Sequence, residues 1–269
     1  MAAMNEALDP KVLLAAYDSQ LRARDDGPLP AGAVVDWDGP ARRLSGLYGG
    51  GFLDYRDLGG LDGDELDAFI ARQVAFFAAK GEKFEWKTRG HDLPADLPDR
   101  LVAHGFVPED RETVEIGLAA QHADANPSLP VDMRIRHTTE RDDFERIAAM
   151  SSEVWSEDHS WMADMLETES AGGAMSIYLA EAGDRVVSAA WIRFVEGTDF
   201  AGLWGGSTLE AYRGRGLYRG LVAVRAALAV QRGYAYLQVD ASDESRPILE
   251  RLGFVAVTTT TPYIWTPTR

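Results

Sequence analysis

Cysteine is absent from all 269 residues of the sequence. Disulfides, cysteine metal sites and an acyl-cysteine intermediate are therefore excluded, and the composition is typical of a reducing compartment. No apolar run approaches the roughly 20 residues that span a bilayer. Residues 1–10 lack the basic and apolar regions of a secretory signal. We therefore expect a cytoplasmic protein with no membrane partner.

Basic residues are also scarce. The sequence has 27 Lys and Arg against 43 Asp and Glu, which gives a formal net charge of −16. Nucleic-acid binding usually requires a basic face, so a nucleic-acid partner is not expected. Cationic small molecules are the more plausible partners, and the alternative is that acidity serves solubility alone.

Several catalytic motifs are missing. No Gly-Lys-Ser/Thr phosphate loop and no Gly-x-Ser-x-Gly elbow occur. The five histidines show no metal-ligand spacing. The sequence therefore predicts neither a metal site nor a serine hydrolase.

Two stretches of the sequence resemble each other. Each reads as a long helix with a glycine stop, a strand, a short helix, and a Gly-Phe-Val turn into another strand. Gly81 and Gly233 are 152 residues apart, and Gly105 and Gly253 are 148 apart. The pattern predicts a duplicated α/β unit.

A small, polar, proline-containing segment, residues 118–130, is the natural linker between the copies. We expect two domains, residues 1–128 and 129–269, in an α/β fold with mixed sheets. The second copy predicts the order β-α-α-β-β-β-α-β-α-β. The first copy has less sequence before its long helix and is predicted to be shortened, with one helix at Pro10–Leu21 ahead of it.

A glycine- and arginine-rich loop, residues 210–220, separates a predicted strand from the long helix of the second copy. Its glycines permit a turn in which backbone N–H groups converge, and the helix start adds unpaired N–H groups and a positive dipole. Arg213, Arg215 and Arg219 add charge. The loop favours diphosphate binding, and the alternative is a solvated surface turn.

This loop resembles the signature of the GNAT superfamily of N-acetyltransferases, which is Arg or Gln, two residues, Gly, one residue, then Gly or Ala. Residues 213–218 (Arg-Gly-Arg-Gly-Leu-Tyr) match it except that Tyr218 stands at the small position. The resemblance covers residues 131–265 well and the first half as a degenerate copy. It implies a tandem GNAT-like acyltransferase fold with a complete second half.

The resemblance also implies acetyl-CoA as co-substrate. Ser207, Thr208 and Leu209 would offer backbone groups to the pantetheine arm, Gly205-Gly206 would form a bulge, and Ser242 would lie near the cofactor. The implied diphosphate site comprises Arg213, Gly214, Arg215, Gly216, Leu217, Tyr218 and Arg219.

The corresponding loop of the first half differs in charge. At the same offset of 152 residues it reads Leu-Asp-Gly-Asp-Glu-Leu-Asp over residues 61–67, so four carboxylates replace three arginines. A diphosphate would be repelled there. We therefore expect one acyl-CoA site in each chain.

A dinucleotide site is the competing interpretation of the second-half loop. Gly214, Gly216 and Gly220 precede Asp240, which ends the next predicted strand where a ribose-binding acid would lie. In a dinucleotide fingerprint the glycines directly follow their strand, whereas four residues intervene here. The fingerprint also opens a βαβαβ half, whereas here three consecutive strands precede the loop. Both features favour acyl-CoA over NAD(P).

Transfer to an amine needs a base for the amine proton and benefits from an acid for the departing thiolate. Asp158, His159 and Asp240 are the candidate bases. Many GNAT enzymes carry the acid as a tyrosine four residues before the Gly-Phe pair, where this chain has Leu249. Tyr218, Tyr263 and water are the alternatives.

Residues 153–169 lie where the family covers its acceptor. They contain six acids, no Lys or Arg, and two tryptophans, Trp155 and Trp161. Carboxylates beside aromatic rings suit a cationic amine, and the alternative is a capped helix with both tryptophans in the core.

The leading interpretation is an N-acetyltransferase that acts on a small amine as a monomer or homodimer. A non-catalytic acyl-CoA-binding or assembly module is the alternative, and turnover separates the two.

Overall fold

The structure, a computed structural model, describes residues 9–24, 32–47, 49–125 and 129–267. Its first elements are α1 (Pro10–Leu21), β1 (Val34–Asp38), β2 (Ala41–Ser45), β3 (Gly51–Asp54), α2 (Gly63–Ala79), β4 (Phe84–Arg89), α3 (Leu97–Ala103), β5 (Val107–Pro108) and β6 (Glu112–Leu118). The remaining elements are α4 (Ala119–Ala123), β7 (Met133–Thr138), α5 (Arg141–Trp155), α6 (Met162–Ser170), β8 (Met175–Ala182), β9 (Arg185–Phe194), β10 (Phe200–Thr208), α7 (Leu217–Gln231), β11 (Tyr236–Ala241), α8 (Arg246–Leu252) and β12 (Val255–Trp265).

The chain divides into two compact units. Unit 1 holds the described residues up to Glu115 together with those from Asp240 onward, and unit 2 is Ile116–Val239. The domain boundary between residues 128 and 129 was drawn from the sequence repeat, whereas the two units are defined by contacts in space. That boundary stays a prediction.

Unit 1 contains a sheet with the strand order β1-β2-β3-β4-β12. β1, β2 and β3 pair antiparallel, and β3 and β4 pair parallel. β12 pairs antiparallel with β4, so that Trp265 lies opposite Phe84 and Thr260 opposite Arg89. The last strand of the chain therefore completes a sheet that the first half begins.

Aromatic rings form much of the core of unit 1. Trp86 on β4 and Phe77 on α2 are fully buried, and the rings of Phe77 and Phe84 stack with centroids 4.0 Å apart. Trp86 makes edge contacts with Phe69 and Phe106 at 6.0 and 6.1 Å. Burial of these large side chains stabilises the unit and ties α2 to β4.

Unit 2 contains a mixed sheet with the order β7-β8-β9-β10-β11. Its first four strands are antiparallel, while β10 and β11 are parallel. Phe144 and Ile147 from α5 and Leu166 from α6 are buried in a core with Ile177 and Leu179 of β8. The mixed α/β fold predicted from the sequence is confirmed.

The helix ends of the two copies have the same geometry. Gly81 and Gly233 follow the long helices with φ of +66° and +86°, and the next residue's N–H donates to the carbonyl five residues before it, at 3.1 and 2.9 Å. Gly105 and Gly253 end the short helices in the same way, with φ of +88° and +97° and bonds of 3.1 Å. Glycine permits this left-handed stop, so the sequence repeat is also a structural one.

Two features differ from the prediction. Three strands precede α2, where the sequence indicated little regular structure, because β1 and β2 are short and carry charged residues. The segment predicted as a linker begins with helix α4, and the Ala119 N–H donates to the Ala235 carbonyl at 2.9 Å. Residues 126–128 of that segment lie outside the described residues.

No helix within the described ranges is long and apolar enough to cross a membrane.

Candidate functional site

β10 contains a bulge near its carboxyl end. Its register with β9 pairs Trp204 with Trp191 and then shifts before Ser207 pairs with Ala189. Gly205 in the shifted segment has φ of +68°, and a Cβ there would lie 2.0 Å from the Trp191 ring. Because both backbone conformation and space exclude a side chain, only glycine fits. The bulge predicted at Gly205-Gly206 is confirmed.

Ser188 on β9 holds the end of β10. Its buried hydroxyl donates to the Ser207 carbonyl at 2.6 Å and lies 2.7 Å from the Thr208 hydroxyl. The Leu209 N–H donates to the Val187 carbonyl at 3.0 Å. Ser207 and Leu209 are buried, and the predicted contacts of their backbone with a pantetheine arm stay a prediction.

The parallel pairing of β10 with β11 covers only the first part of β10. It runs from Phe200 opposite Tyr236 to Gly202 opposite Gln238, whereas β10 continues to Thr208. The bulge and the strand end therefore lie beyond the registered pairs, which is where a splay between strands would open a groove.

The glycine- and arginine-rich loop enters α7 through two left-handed glycines. Gly214 and Gly216 have φ of +74° and +84°, and α7 begins at Leu217. The Gly220 N–H is bonded to the Gly216 carbonyl at 2.9 Å. The N–H groups at the first positions of α7 precede this bond and have no acceptor within the helix, so they remain for an acceptor outside it.

Three exposed arginines surround this helix start. Arg213 Nε donates to the Thr208 carbonyl at 3.2 Å. Arg215 Nη2 donates to the Ala211 carbonyl at 3.0 Å. Arg219 is exposed in the first turn of α7. No carboxylate in the described part of the chain pairs with any of the three, so their charge remains for an anionic ligand.

Tyr218, which departs from the family pattern, packs against the backbone of Gly206. Its ring carbon Cε2 lies 3.1 Å from the position that a Cβ of Gly206 would occupy. Burial raises the pKa of the Tyr218 phenol, and the nearby charge of Arg225 opposes that rise. Gly206 therefore provides the space for the larger residue.

Arg225 on α7 is a buried cation that the sequence analysis missed. It is 2% exposed. Its Nε donates to the Leu221 carbonyl at 2.8 Å, and its Nη1 donates to the Trp191 and Trp204 carbonyls at 3.1 and 3.3 Å. Burial lowers the pKa of the guanidinium to about 10, so it is charged at neutral pH. An arginine four residues after buried Leu221, on the apolar face of a helix, is the signal that could have found it.

The matching loop of the first half is acidic and borders a cavity of about 570 Å³ in unit 1. Asp57 and Asp62 line the cavity with Arg22, and Arg22 pairs with Asp92 at 2.8 Å. Asp67 in the first turns of α2 pairs with Arg100 at 2.6 Å. Arg56 also lines the cavity and donates to the Ser19 carbonyl at 3.1 Å, and the four aspartates of the lining oppose binding of a diphosphate.

Asp158 and His159 lie in the turn between α5 and α6. Asp158 Oδ1 accepts from the Ser160 N–H at 2.9 Å, and this hydrogen bond lowers the pKa of Asp158. His159 Nδ1 lies 3.1 Å from the Glu157 carbonyl. Since a carbonyl only accepts, that bond makes Nδ1 the donor and leaves Nε2 as an acceptor, which is the form a base needs.

Asp240, the third candidate base, is in unit 1 and has a cationic partner. Lys87 Nζ lies 2.6 Å from Asp240 Oδ2 and 3.5 Å from Glu112. Burial lowers the pKa of Lys87, but the charge of Asp240 and its hydrogen bond raise it above its ordinary range. The ion pair accounts for the position of Asp240, and a catalytic role for it stays a prediction.

Ser242 and Leu249 also belong to unit 1. Ser242 is exposed in the turn before α8, where its carbonyl accepts from the Arg246 N–H at 2.9 Å. Leu249 is fully buried in α8. Tyr263, an alternative acid, is 7% exposed within the aromatic core. Neither Leu249 nor Tyr263 therefore presents an exposed hydroxyl that could protonate a thiolate.

The predicted acceptor segment is less negative than its composition indicates. Four of its six acids pair with arginines: Glu153 with Arg185, Asp164 and Glu167 with Arg141, and Glu169 with Arg193. Trp155 and Trp161 are 57% and 39% exposed. The alternative that both tryptophans lie in the core is therefore wrong. The exposed Trp155, Glu157, Asp158 and Trp161 and the partly exposed His159 form a group that we call the tryptophan turn.

The structure also decides between the two interpretations of the loop. A dinucleotide fingerprint belongs to a parallel βαβαβ sheet. β10 pairs antiparallel with β9 and follows two further antiparallel strands. The fold therefore excludes the dinucleotide unit. Within the described residues, no group of three His, Asp or Glu side chains could hold a metal ion.

Comparison with known proteins agrees with this geometry. Residues 139–254 match the model of the Acetyltransferase (GNAT) family. The solved structure of a GCN5-related N-acetyltransferase from Kribbella flavida is 17% identical with a TM-score of 0.63 and covers 97% of this chain and 95% of its own. A tandem GNAT protein from the clavulanic acid biosynthesis pathway is 15% identical with a TM-score of 0.63 and covers 98% and 97%. A search of curated proteins gave no match.

The chain therefore has a GNAT fold. Residues 139–254 are a domain of the GNAT acetyltransferase family. At identities of 15–17% the two solved structures establish the fold of the chain and nothing finer.

Proposed function

We propose that the protein is an N-acyltransferase that moves an acetyl group from acetyl-CoA to the primary amine of a small, cationic acceptor. The observation that carries this proposal is the start of α7. Gly214 and Gly216 turn the backbone so that free N–H groups converge, and the exposed Arg213, Arg215 and Arg219 surround them.

These residues fit a diphosphate. The helix terminus supplies N–H donors and a positive dipole, and the arginines supply mobile charge without competing carboxylates. A Cβ on Gly214 would meet nothing within 4 Å, so the loop faces open space. The acidic first-half loop supports one such site in each chain.

The proposed reaction is a direct attack. The amine nitrogen forms a bond to the thioester carbonyl carbon, the C–S bond breaks, and its electron pair leaves with sulfur. The amine proton passes to a base, for which His159 Nε2 and Asp158, directly or through water, are the candidates in unit 2. The thiolate leaves without a tyrosine donor at Leu249, which its pKa near 8.5 permits.

The tryptophan turn supports a cationic acceptor. Neither Glu157 nor Asp158 forms an ion pair with a lysine or arginine among the described residues, and Trp155 and Trp161, on either side of them in the sequence, are exposed. Aromatic faces and unpaired carboxylates attract an ammonium group. The same carboxylates would favour cationic over neutral amines.

Two measurements test the proposal. Calorimetric titration with acetyl-CoA should show saturable binding near one per chain, and parallel titration with NADH should show none. Release of free CoA thiol should then require a primary amine. Binding of NADH without acetyl-CoA, or of neither, would contradict the proposal.

A second candidate is a non-catalytic acyl-CoA-binding module. It is favoured by one observation, the fully buried Leu249 at the position where the family resemblance implies a tyrosine. Both candidates bind acetyl-CoA. Thiol release with a panel of primary amines supports the enzyme, and binding without release across that panel supports the module.

A further inference from the structure

We propose that Arg225 is a positioning residue that fixes and polarises the Trp204–Gly205 peptide, so that the Gly205 N–H is presented to the acyl carbonyl oxygen. The inference rests on the proposed function, because it assigns a role within that acyl-transfer site. It concerns a residue on the helix face opposite to solvent, outside the glycine- and arginine-rich loop.

The geometry of the peptide carries the first step. Arg225 Nη1 donates to the Trp204 carbonyl at 3.3 Å and to the opposite Trp191 carbonyl at 3.1 Å. In a trans peptide the N–H points away from the carbonyl of the same unit. The Gly205 N–H is therefore directed away from the guanidinium, which is itself held in place by the second bond, to the Trp191 carbonyl.

The bulge gives this N–H access to a ligand. Gly205 is partly exposed, and Trp204 and Gly206 on either side are exposed. The register with β9 is interrupted between Trp204 and Ser207, so Gly205 lies outside the regular ladder. A glycine in the left-handed conformation also leaves no side chain over its own N–H.

The charge of Arg225 carries the second step. A guanidinium bonded to a carbonyl withdraws electron density from the peptide and strengthens its N–H as a donor, and the low dielectric of a buried site enhances this effect. A donor that is already oriented stabilises the negative charge that develops on a thioester oxygen during attack.

Stability alone does not account for this arginine. No carboxylate in the described part of the chain pairs with Arg225, and a buried ion without a counterion carries a desolvation cost. An apolar side chain of similar length would fill the space without that cost. The buried charge is explained if it strengthens the Gly205 N–H as a hydrogen-bond donor during the reaction.

The first test compares Arg225→Met and Arg225→Lys with a matched control, Arg232→Met. Arg232 follows the last residue of the same helix and also donates to a backbone carbonyl, that of Gly173 at 2.8 Å, but it is exposed and lies at the opposite end of α7 from the glycine- and arginine-rich loop. Arg225→Met should lower kcat about 100-fold with KM for acetyl-CoA within about threefold. Arg225→Lys should keep more activity, and Arg232→Met should resemble the wild type.

The second test reads the carbonyl directly. Acetyl-CoA labelled with ¹³C at the thioester carbonyl is bound to each variant, and its C=O stretch is measured by infrared difference spectroscopy. Polarisation by Gly205 N–H lowers that frequency, so it should be lowest in the wild type, intermediate in Arg225→Lys and highest in Arg225→Met. The melting temperature of Arg225→Met should be no lower than that of Arg225→Lys.

These results separate the inference from the proposed function. Wild-type protein that binds acetyl-CoA without turnover would contradict the enzyme, while the stretch would still test Arg225. An unchanged stretch, a loss seen only in KM, or an equal loss in Arg232→Met would overturn the role of Arg225. If Arg225→Met fails to fold, Arg225→Lys decides: a stretch equal to the wild type with reduced kcat would overturn it.

Discussion

Arg136 and Asp143 in unit 2 form a two-point ion pair. Arg136 Nη1 donates to Asp143 Oδ2 at 2.6 Å, and Nη2 donates to Oδ1 at 2.8 Å. Glu181 accepts from the same guanidinium at 3.0 Å. Hydrogen bonds from Arg136 lower the pKa of both buried carboxyl groups to about 2. The pair fixes the start of α5 to β7 and β8.

We expect the stability contributed by Asp143 to be lost in acid. Its folded pKa lies below the unfolded value of about 3.9, so the contribution is full above pH 4 and disappears as the pH falls toward 2. Asp143→Asn should lower the free energy of unfolding by about 1–3 kcal/mol at neutral pH and by much less near pH 2. Urea unfolding at several pH values measures this, with exposed Asp142→Asn as control. A difference that does not change with pH would contradict the ion-pair explanation.

Gly216→Glu should abolish acetyl-CoA binding, because it places bulk and negative charge at the start of α7. Gly63→Glu is the matched control, since Gly63 also begins a long helix with a positive φ, of +48° against +84° for Gly216. Both variants carry similar backbone strain, of the order of 1–2 kcal/mol. Calorimetry should show an affinity loss of more than about 100-fold for Gly216→Glu alone. An equal loss in Gly63→Glu would contradict the single site.

Glu115→Gln should stabilise the protein above neutral pH. Glu115 is fully buried, neither of its oxygens has a hydrogen bond in the described structure, and Arg246 Nε lies 3.9 Å away. Burial raises the pKa of Glu115 to about 7, and the charge of Glu250 adds to the rise. Because the folded pKa exceeds the unfolded one, wild-type stability should fall as the pH rises from about 4 to 7.

The glutamine variant should lack that fall and exceed the wild type by about 1–3 kcal/mol at pH 8. Urea unfolding between pH 5 and 8 measures both curves. Glu244→Gln, an exposed change near α8, should follow the wild type. A Glu115→Gln curve parallel to the wild type would show that Glu115 is ionised throughout.

Trp161→Ala should weaken binding of the amine acceptor and leave binding of acetyl-CoA unchanged. Removal of one ring of the tryptophan turn should raise KM for a cationic amine about threefold to thirtyfold and leave KM for acetyl-CoA unchanged. Trp37→Ala in β1 is a control of similar exposure, 42% against 39%. Steady-state thiol release measures both constants. A rise in KM for acetyl-CoA alone would assign Trp161 to a different role.

Local patterns predicted local structure. The helix predicted at Pro10–Leu21 has those bounds, because Pro10 suits the first helical position and Asp9 accepts from the Lys11 N–H at 2.8 Å. The glycine stop after α7 and the bulge at Gly205 were likewise predicted, because each depends on a residue and its immediate neighbours.

Long-range relationships were not predicted. Lys87 and Asp240 are separated by 153 residues, and nothing in the local sequence pairs them. The pairing of β12 with β4 was not predicted either. The Gly-Phe-Val turn before β12 also occurs in the first copy, so this local sequence does not specify which strand is the partner of β12. Arg225 was not identified from the sequence, because helical spacing alone does not show which charged residue lies beneath a bulge.

The place of β12 also bears on how the protein is made. β4 leaves the ribosome long before β12, and at about 5–20 residues per second the interval is roughly ten to thirty seconds. Throughout that time one edge of β4 lacks its antiparallel partner, and an open edge is a template for pairing with other chains. The sheet of unit 1 is therefore complete only after β12 has been synthesised, so faster translation, or a chaperone that covers the open edge of β4, would improve the yield of native protein.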